Sequence, residues 1–139
     1  MKTLPPTIKY TTTHEWIKLE NNETARVGIT AHAQASLGDI VFVNLNPFDE
    51  LRQDTTPQIL TKGMEVIALE SVKAAADVYA PLSGTLLAVN HLLEDQPELI
   101  NSDPYGQGWL FLIRLTDAKE IEILLDADAY QAHLDQENH

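Results

Sequence analysis

The chain has 139 residues, 44% hydrophobic and 22% charged, a balance that excludes a disordered chain and fits one globular domain. Its formal net charge of -12 excludes a nucleic-acid surface, which needs an excess of Lys and Arg, and suits partners with basic docking faces. There is no cysteine, so disulfides and thiolate metal sites are excluded, and no apolar run approaches membrane-spanning length.

Taken in chain order, the start "MKTLPPTIKYTTTHEW" has neither an apolar signal core nor an Arg-rich leader. The expectation is a cytoplasmic protein, or one of an organelle matrix if a transit peptide has been removed. If "TTTHEWIKL" is a strand, Thr13 and Glu15 share a face and Trp16 points the other way. "ARVGIT" (25–30) reads as a strand. Thr30 then caps a short helix over "AHAQAS", which Gly38 ends. "DIVFVNL" (39–45) is a second β-rich run, followed by the long stretch "NPFDELRQDTTPQILTKG" (46–63), read as an exposed loop. "MEVIALE" (64–70), "DVYAP" (77–81), "GTLLAVN" (84–90) and "GWLFLIRL" (108–115) are further strands. "HLLEDQPELIN" holds a turn or two of helix, broken at Pro97. From Asp117 onward helix formers dominate, with Ile121, Leu124 and Leu125 and then Tyr130, His133 and Leu134 at helical spacing, and Asp126 as the cap of the last helix. The fold class is mainly β: a small antiparallel sandwich or flattened barrel of two sheets, with short helices and a helical C-terminal tail.

One lysine stands apart. In "ALESVKAAADVYAPLSG" (68–84), Lys73 is flanked by small residues, with Glu70 and Asp77 the nearest charges. If Val72 and Lys73 form the tip of a hairpin, Ser71 opposes Ala74, Glu70 opposes Ala75, Leu69 opposes Ala76 and Ala68 opposes Asp77. Ile67, Leu69, Ala76 and Val78 then face inward, while Glu70, Ala75, Asp77 and Tyr79 face outward. Val-Lys lacks the Gly or Asn of the favoured tight turns, so the turn is of another type. Such a lysine is open to a modifying enzyme. Most exposed turn lysines are nonetheless plain solvated charges, and spacing does not identify a modification.

The segment "ESVKAAADVYAPLSG" closely resembles the lipoylation hairpin of the glycine cleavage system H proteins, a family of lipoyl carriers. Further blocks agree in order: "HEW" (14–16), "VGIT" (27–30), "AQASLGDIVFV" (33–43), "LEDQPELIN" (93–101), "DPYGQGWL" (103–110) and "LLDADAY" (124–130). The resemblance runs from about Tyr10 to the tail. It implies a single lipoyl-carrier domain over 1–139, with N- and C-terminal extensions, and lipoic acid amide-linked to Lys73. It also implies a carrier that is not itself an enzyme. Such a carrier takes the aminomethyl group of glycine from glycine decarboxylase (P protein) to the aminomethyltransferase (T protein), and electrons to dihydrolipoyl dehydrogenase (L protein). A lipoate ligase or a lipoyl/octanoyl transferase attaches the arm.

By the same resemblance, Thr13, Glu15 and Asp77 form the pocket that shelters the aminomethyl-loaded arm, and Glu70 belongs to the surface read by the lipoylating enzyme. Thr13 stands where the family commonly has serine and keeps the hydroxyl. A carboxylate and hydroxyl pocket suits a cationic aminomethyl nitrogen. Without the resemblance, Glu15 reads as an exposed strand carboxylate and Glu70 as a solvated charge. Stretch 46–63 is longer than the usual family connection. The alternative function is a lipoyl donor or scaffold that passes its lipoyl group to other complexes. A biotin carrier is disfavoured, because methionines usually flank a biotinylated lysine and here Val72 and Ala74 do. No catalytic constellation is expected. His14, His32, His91, His133 and His139 show no close-paired metal spacing and read as scattered, so no metal site is expected either. "YGQGW" lacks the full dinucleotide fingerprint and reads as a turn before a strand.

Overall fold

Short runs of β-branched residues punctuated by Gly, Pro and Asn make strands, and in the computed structural model, which describes residues 4–5, 7–44 and 58–137, they make two sheets. The strands are β1 (Lys9–Tyr10), β2 (Glu15–Leu19), β3 (Thr24–Ile29), β4 (Ile40–Asn44), β5 (Gln58–Leu60), β6 (Glu65–Ser71), β7 (Ala75–Tyr79), β8 (Gly84–Val89) and β9 (Phe111–Leu115). Among the described residues, one sheet has the order β1-β2-β3-β9-β8-β5 and the other the order β4-β6-β7, with all pairings antiparallel. Four short α-helices complete the described chain: α1 (Ala31–Leu37), α2 (Leu92–Asp95), α3 (Leu99–Ser102) and α4 (Ala127–Glu137). The expected two-sheet, mainly β architecture with a C-terminal helix is therefore the observed one. No described helix is long and apolar enough to cross a membrane.

Two hydrophobic clusters hold these elements. The larger draws Ile17, Val27 and Ile113 from one sheet and Val43, Leu69 and Val78 from the other. The smaller joins Ile8, Tyr10 and Trp16 to Tyr130 and Leu134 of α4. There the Tyr10 and Tyr130 rings stack 4.7 Å apart, and Trp16 Nε1–H donates to the Pro104 carbonyl at 2.9 Å. Because successive residues of a strand point to opposite faces, Ile17 belongs to the first cluster and its neighbour Trp16 to the second. Gly28 lies opposite Trp16 across β2 and β3, and a Cβ there would sit 2.6 Å from the indole ring. Trp16 can be buried only because residue 28 has no side chain.

Several local expectations hold. Thr30 Oγ1 accepts from the Ala33 N–H as the cap of α1, and Gly38 closes that helix at φ 86°. Asp126 Oδ1 accepts from the Ala129 N–H ahead of α4. Pro97 separates α2 from α3.

Two expectations need correction. Stretch 46–63 is not all loop: Gln58–Leu60 pairs with β8 as an edge strand, and Leu60 is buried. Three residues are too few to show alternation, so only the pairing partner reveals the strand. The part of that stretch from 46 to 57 lies outside the described residues. The tail after Asp117 is not continuously α-helical either. Ala118–Ile123 form a 3₁₀ turn, and Leu125 leaves it to exchange two backbone hydrogen bonds with Tyr10, both 2.8 Å. Ile121 and Leu124 pack on the larger cluster and Leu125 on the smaller. Their spacing reflects burial on two sides, not one helical face.

Candidate functional site

The β6–β7 hairpin has the register expected from alternation: Glu70 pairs with Ala75, Leu69 with Ala76 and Ala68 with Asp77. Val72 and Lys73 form its tip. Ser71 supplies the local bonding that Gly or Asn would otherwise bring. Its backbone N–H donates to the Ala74 carbonyl at 2.8 Å, and its hydroxyl oxygen accepts from the N–H groups of Lys73 (3.2 Å) and Ala74 (3.0 Å). Serine hydroxyls stabilise turns in this way without a positive φ. The tip is also tied down from outside, since the Val72 N–H donates to the carbonyl of Asp39, two residues beyond the end of α1, at 3.1 Å. Lys73 is exposed, and its stem passes over Gly38, where an added Cβ would lie 3.5 Å from Lys73 Cε. The amine is thus presented on a braced turn with one approach side left bare.

From the flank of α1 a cleft of about 370 Å³ runs between that helix, the β6–β7 hairpin and the turn entering β2. Leu69, Val78 and Ile29 give it an apolar lining; Thr13, Glu15 and Asp77 all reach it. A larger hollow of about 450 Å³ lies on the other side of Thr13 and Glu15, lined by Lys62, Tyr79 and Leu124. The smaller cleft is the better candidate, because it alone includes Asp77 and the α1 wall that leads to Gly38 and Lys73.

Glu15 is not the exposed carboxylate that strand periodicity alone suggests, for only 2% of it is accessible. Its Oε1 accepts from Thr11 Oγ1 at 2.6 Å and Thr13 Oγ1 at 2.5 Å. Burial pushes its pKa up, and the Thr11, Thr13 and Tyr79 hydrogen bonds oppose that shift. Thr11, which lines the larger hollow and not the cleft, is a partner of Glu15 that sequence reading passed over. The only signal for it is the run of three threonines, which a turn folds back so that Thr11 also accepts from the Glu15 N–H at 3.0 Å. His14 makes that turn at φ 71°, the only non-glycine positive φ among the described residues. Asp77 is exposed at the cleft wall, while Glu70 is exposed and paired across the strands with Phe42 and Ala75. The structure therefore brings Thr13, Glu15 and Asp77 to one cleft, and leaves Lys73 and Glu70 on the hairpin surface.

The histidines do not match the scattered expectation. His14 Nε2 lies 3.4 Å, His32 Nε2 3.8 Å and His133 Nε2 3.0 Å from the Glu137 carboxylate. Burial lowers the pKa of His14; Glu137 pulls it upward, and His32 and His133 push it down. Residues 14, 32, 133 and 137 come from three elements far apart in the chain, so local spacing carries no sign of the group.

The two-sheet sandwich thus offers an exposed lysine on a braced hairpin, beside a cleft that holds a buried carboxylate. Residues 8–137 match the family model described as Glycine cleavage H-protein. A Glycine cleavage system H protein of Aeromonas hydrophila is 51% identical over 99% of this chain and 100% of its own length. One of Shewanella sp. (strain MR-7) is 47% identical, again over 99% of this chain and 100% of the relative. The crystal structure of a glycine cleavage system H protein from Mycobacterium marinum superposes with a TM-score of 0.77 at 33% identity, over 98% of this chain and 100% of that one. The chain belongs to the glycine cleavage H-protein family, whose place in the glycine cleavage system is that of the lipoyl carrier.

Proposed function

We propose that this chain performs its family's carrier role through Lys73, as the residue to which lipoic acid is amide-linked. The observation that carries this reading is the position of Lys73: exposed, at the tip of a turn fixed by Ser71 and Asp39, with no ion pair to any described residue. Small neighbours at 74–76 leave room for a modifying enzyme, a lipoate ligase or a lipoyl/octanoyl transferase, to close around the hairpin. Glu70, outward-facing three residues before Lys73, belongs to the surface that enzyme reads.

Bound there, a lipoyl group supplies a redox-active disulfide that accepts the aminomethyl group left when glycine loses its carboxyl group and carries the accompanying electrons. The chain's own residues bind and exclude water. Leu69 and Val78 line the cleft with apolar surface, which limits hydrolysis of whatever it encloses. Glu15, with Thr13 and Asp77 beside it, offers acceptors for a cationic nitrogen. The hydroxyls of Thr11 and Thr13 hold the Glu15 carboxylate in one orientation before any ligand arrives. None of these residues makes or breaks a bond, so the chain acts as a non-catalytic component. Its successive partners are glycine decarboxylase, the aminomethyltransferase and dihydrolipoyl dehydrogenase, acting in the cytoplasm.

The test uses lipoylated protein loaded by glycine decarboxylase and then purified without folate or aminomethyltransferase. Glu15→Gln should accept the aminomethyl group and then release formaldehyde and ammonia faster than wild type. Removing a charge-assisted hydrogen bond from a sheltered site costs about 1.5–3 kcal/mol, and less where water enters. Release at the wild-type rate from both Glu15→Gln and Asp77→Asn would remove these acids from the pocket.

A further inference from the structure

We infer that His14, His32, His133 and Glu137 form a binding site for a borderline divalent transition metal, with Zn²⁺ as the representative ion. The donor set is three imidazoles and one carboxylate, which suits Zn²⁺, Co²⁺ or Ni²⁺ and not the oxygen-seeking Mg²⁺ or Ca²⁺. One ligand atom each from His14, His32 and Glu137 lie within 4.8 Å of one another. Bonds of about 2.0–2.1 Å put neighbouring ligands of a tetrahedral site roughly 3.3–3.4 Å apart. The Nε2 atoms of His133, His14 and His32 lie 3.0, 3.4 and 3.8 Å from Glu137 carboxylate oxygens, so that carboxylate is the common neighbour of all three imidazoles, with His133 beside the closer trio.

Three further observations point the same way. First, His133 Nε2 is buried 3.0 Å from a Glu137 oxygen without the alignment of a hydrogen bond, a contact that a shared cation would accommodate. Second, His14 Nδ1 lies 2.7 Å from the Tyr130 hydroxyl, which lies 2.8 Å from Thr30 Oγ1. Where the Tyr130 hydroxyl donates to Thr30 Oγ1, its oxygen accepts from His14 Nδ1–H. That tautomer keeps a lone pair on His14 Nε2, directed toward Glu137. An outer partner that fixes the tautomer is the usual companion of a ligating histidine. Third, His14 is held at φ 71°, a conformation that costs energy in a residue with a Cβ and aims its ring at His32, with centroids 4.8 Å apart.

The site forms one wall of the cleft that contains Glu15 and Asp77. A bound ion would pin the last turn of α4 to α1 and to the turn entering β2, fixing that wall. The experiment takes the full-length, tag-free chain stripped with a chelator, and adds CoCl₂, ZnCl₂ or MgCl₂. Expected are one Co²⁺ per chain with the visible absorption of a four-coordinate site, competition by Zn²⁺, no response to Mg²⁺, and a melting temperature that rises with Zn²⁺ concentration. Glu137→Gln, on an exposed last turn where it cannot unfold the protein, and His14→Asn, which tolerates positive φ, should each weaken uptake at least about tenfold. His91→Gln should change nothing. Absence of one-to-one uptake, or equal affinity in Glu137→Gln and His14→Asn, would overturn the site and leave a hydrogen-bonded histidine–carboxylate cluster.

Discussion

In the role proposed for it, Glu15 serves shelter at the expense of stability. Burying a carboxylate raises its folded-state pKa above the value it has in the unfolded chain. Between those two values the folded state binds more protons than the unfolded one, so stability falls as pH rises through that window. The cost is fully present above the raised folded-state value and is relieved as the pH falls through it. Glu15→Gln lacks this linkage. In urea unfolding at a series of pH values, wild type should therefore gain on Glu15→Gln as the pH is lowered from neutral through the weakly acid range. A constant difference between the two would mean that Glu15 is not desolvated in solution. Replacing a carboxylate that retains a burial cost with an amide is also why the loaded-state experiment reads the carrier's function separately from its fold.

Among the elements, the β2–β3 pair leaves no room for a side chain at Gly28. Gly28 faces Trp16, which is 1% exposed, and the space a Cβ would need is taken by the indole ring at 2.6 Å. Gly28→Ala forces Trp16 from its bed against Tyr105 and the Pro104 carbonyl. Overpacking of this kind costs about 1–3 kcal/mol, so thermal unfolding should shift downward by several degrees. Wild-type melting would show that the β2–β3 spacing opens freely. The β6–β7 hairpin is held differently, by backbone pairing and the Ser71 hydroxyl, and Val72 and Lys73 at its tip are exposed. A modification site gains from that, since an enzyme can grip the tip without prising open a core.

On the scale of the whole molecule, Trp16 and Ile17 tie the two hydrophobic clusters together through one strand. We propose that the chain is a single cooperative unit for this reason. Tryptophan fluorescence, which reports Trp16 and Trp109 around the smaller cluster, and far-ultraviolet circular dichroism, which reports the sheets, should give coincident transitions. An earlier fluorescence transition would show that the tail and β1 detach first. The hairpin register was legible in the sequence because alternation on both arms fixes it, and α1 because Thr30 and Gly38 mark its ends. Thr13, Glu15 and Asp77 were legible as a group through family resemblance alone. The rest depended on distance along the chain. Leu60 shows its strand only against β8, Leu125 only against Tyr10, and Glu137 gathers histidines from positions 14, 32 and 133. Local periodicity carries no information about such partners.

Everything in the proposed carrier role depends on Lys73 as the point of lipoyl attachment. That assignment is tested most directly by incubating the unmodified chain with lipoate ligase, lipoate and ATP, then mapping the modified peptide by mass spectrometry. One lipoyl group per chain is expected, on Lys73, and none on Lys73→Arg, whose guanidinium does not replace the amine. Lipoylation of any other lysine, or full modification of Lys73→Arg, would contradict it.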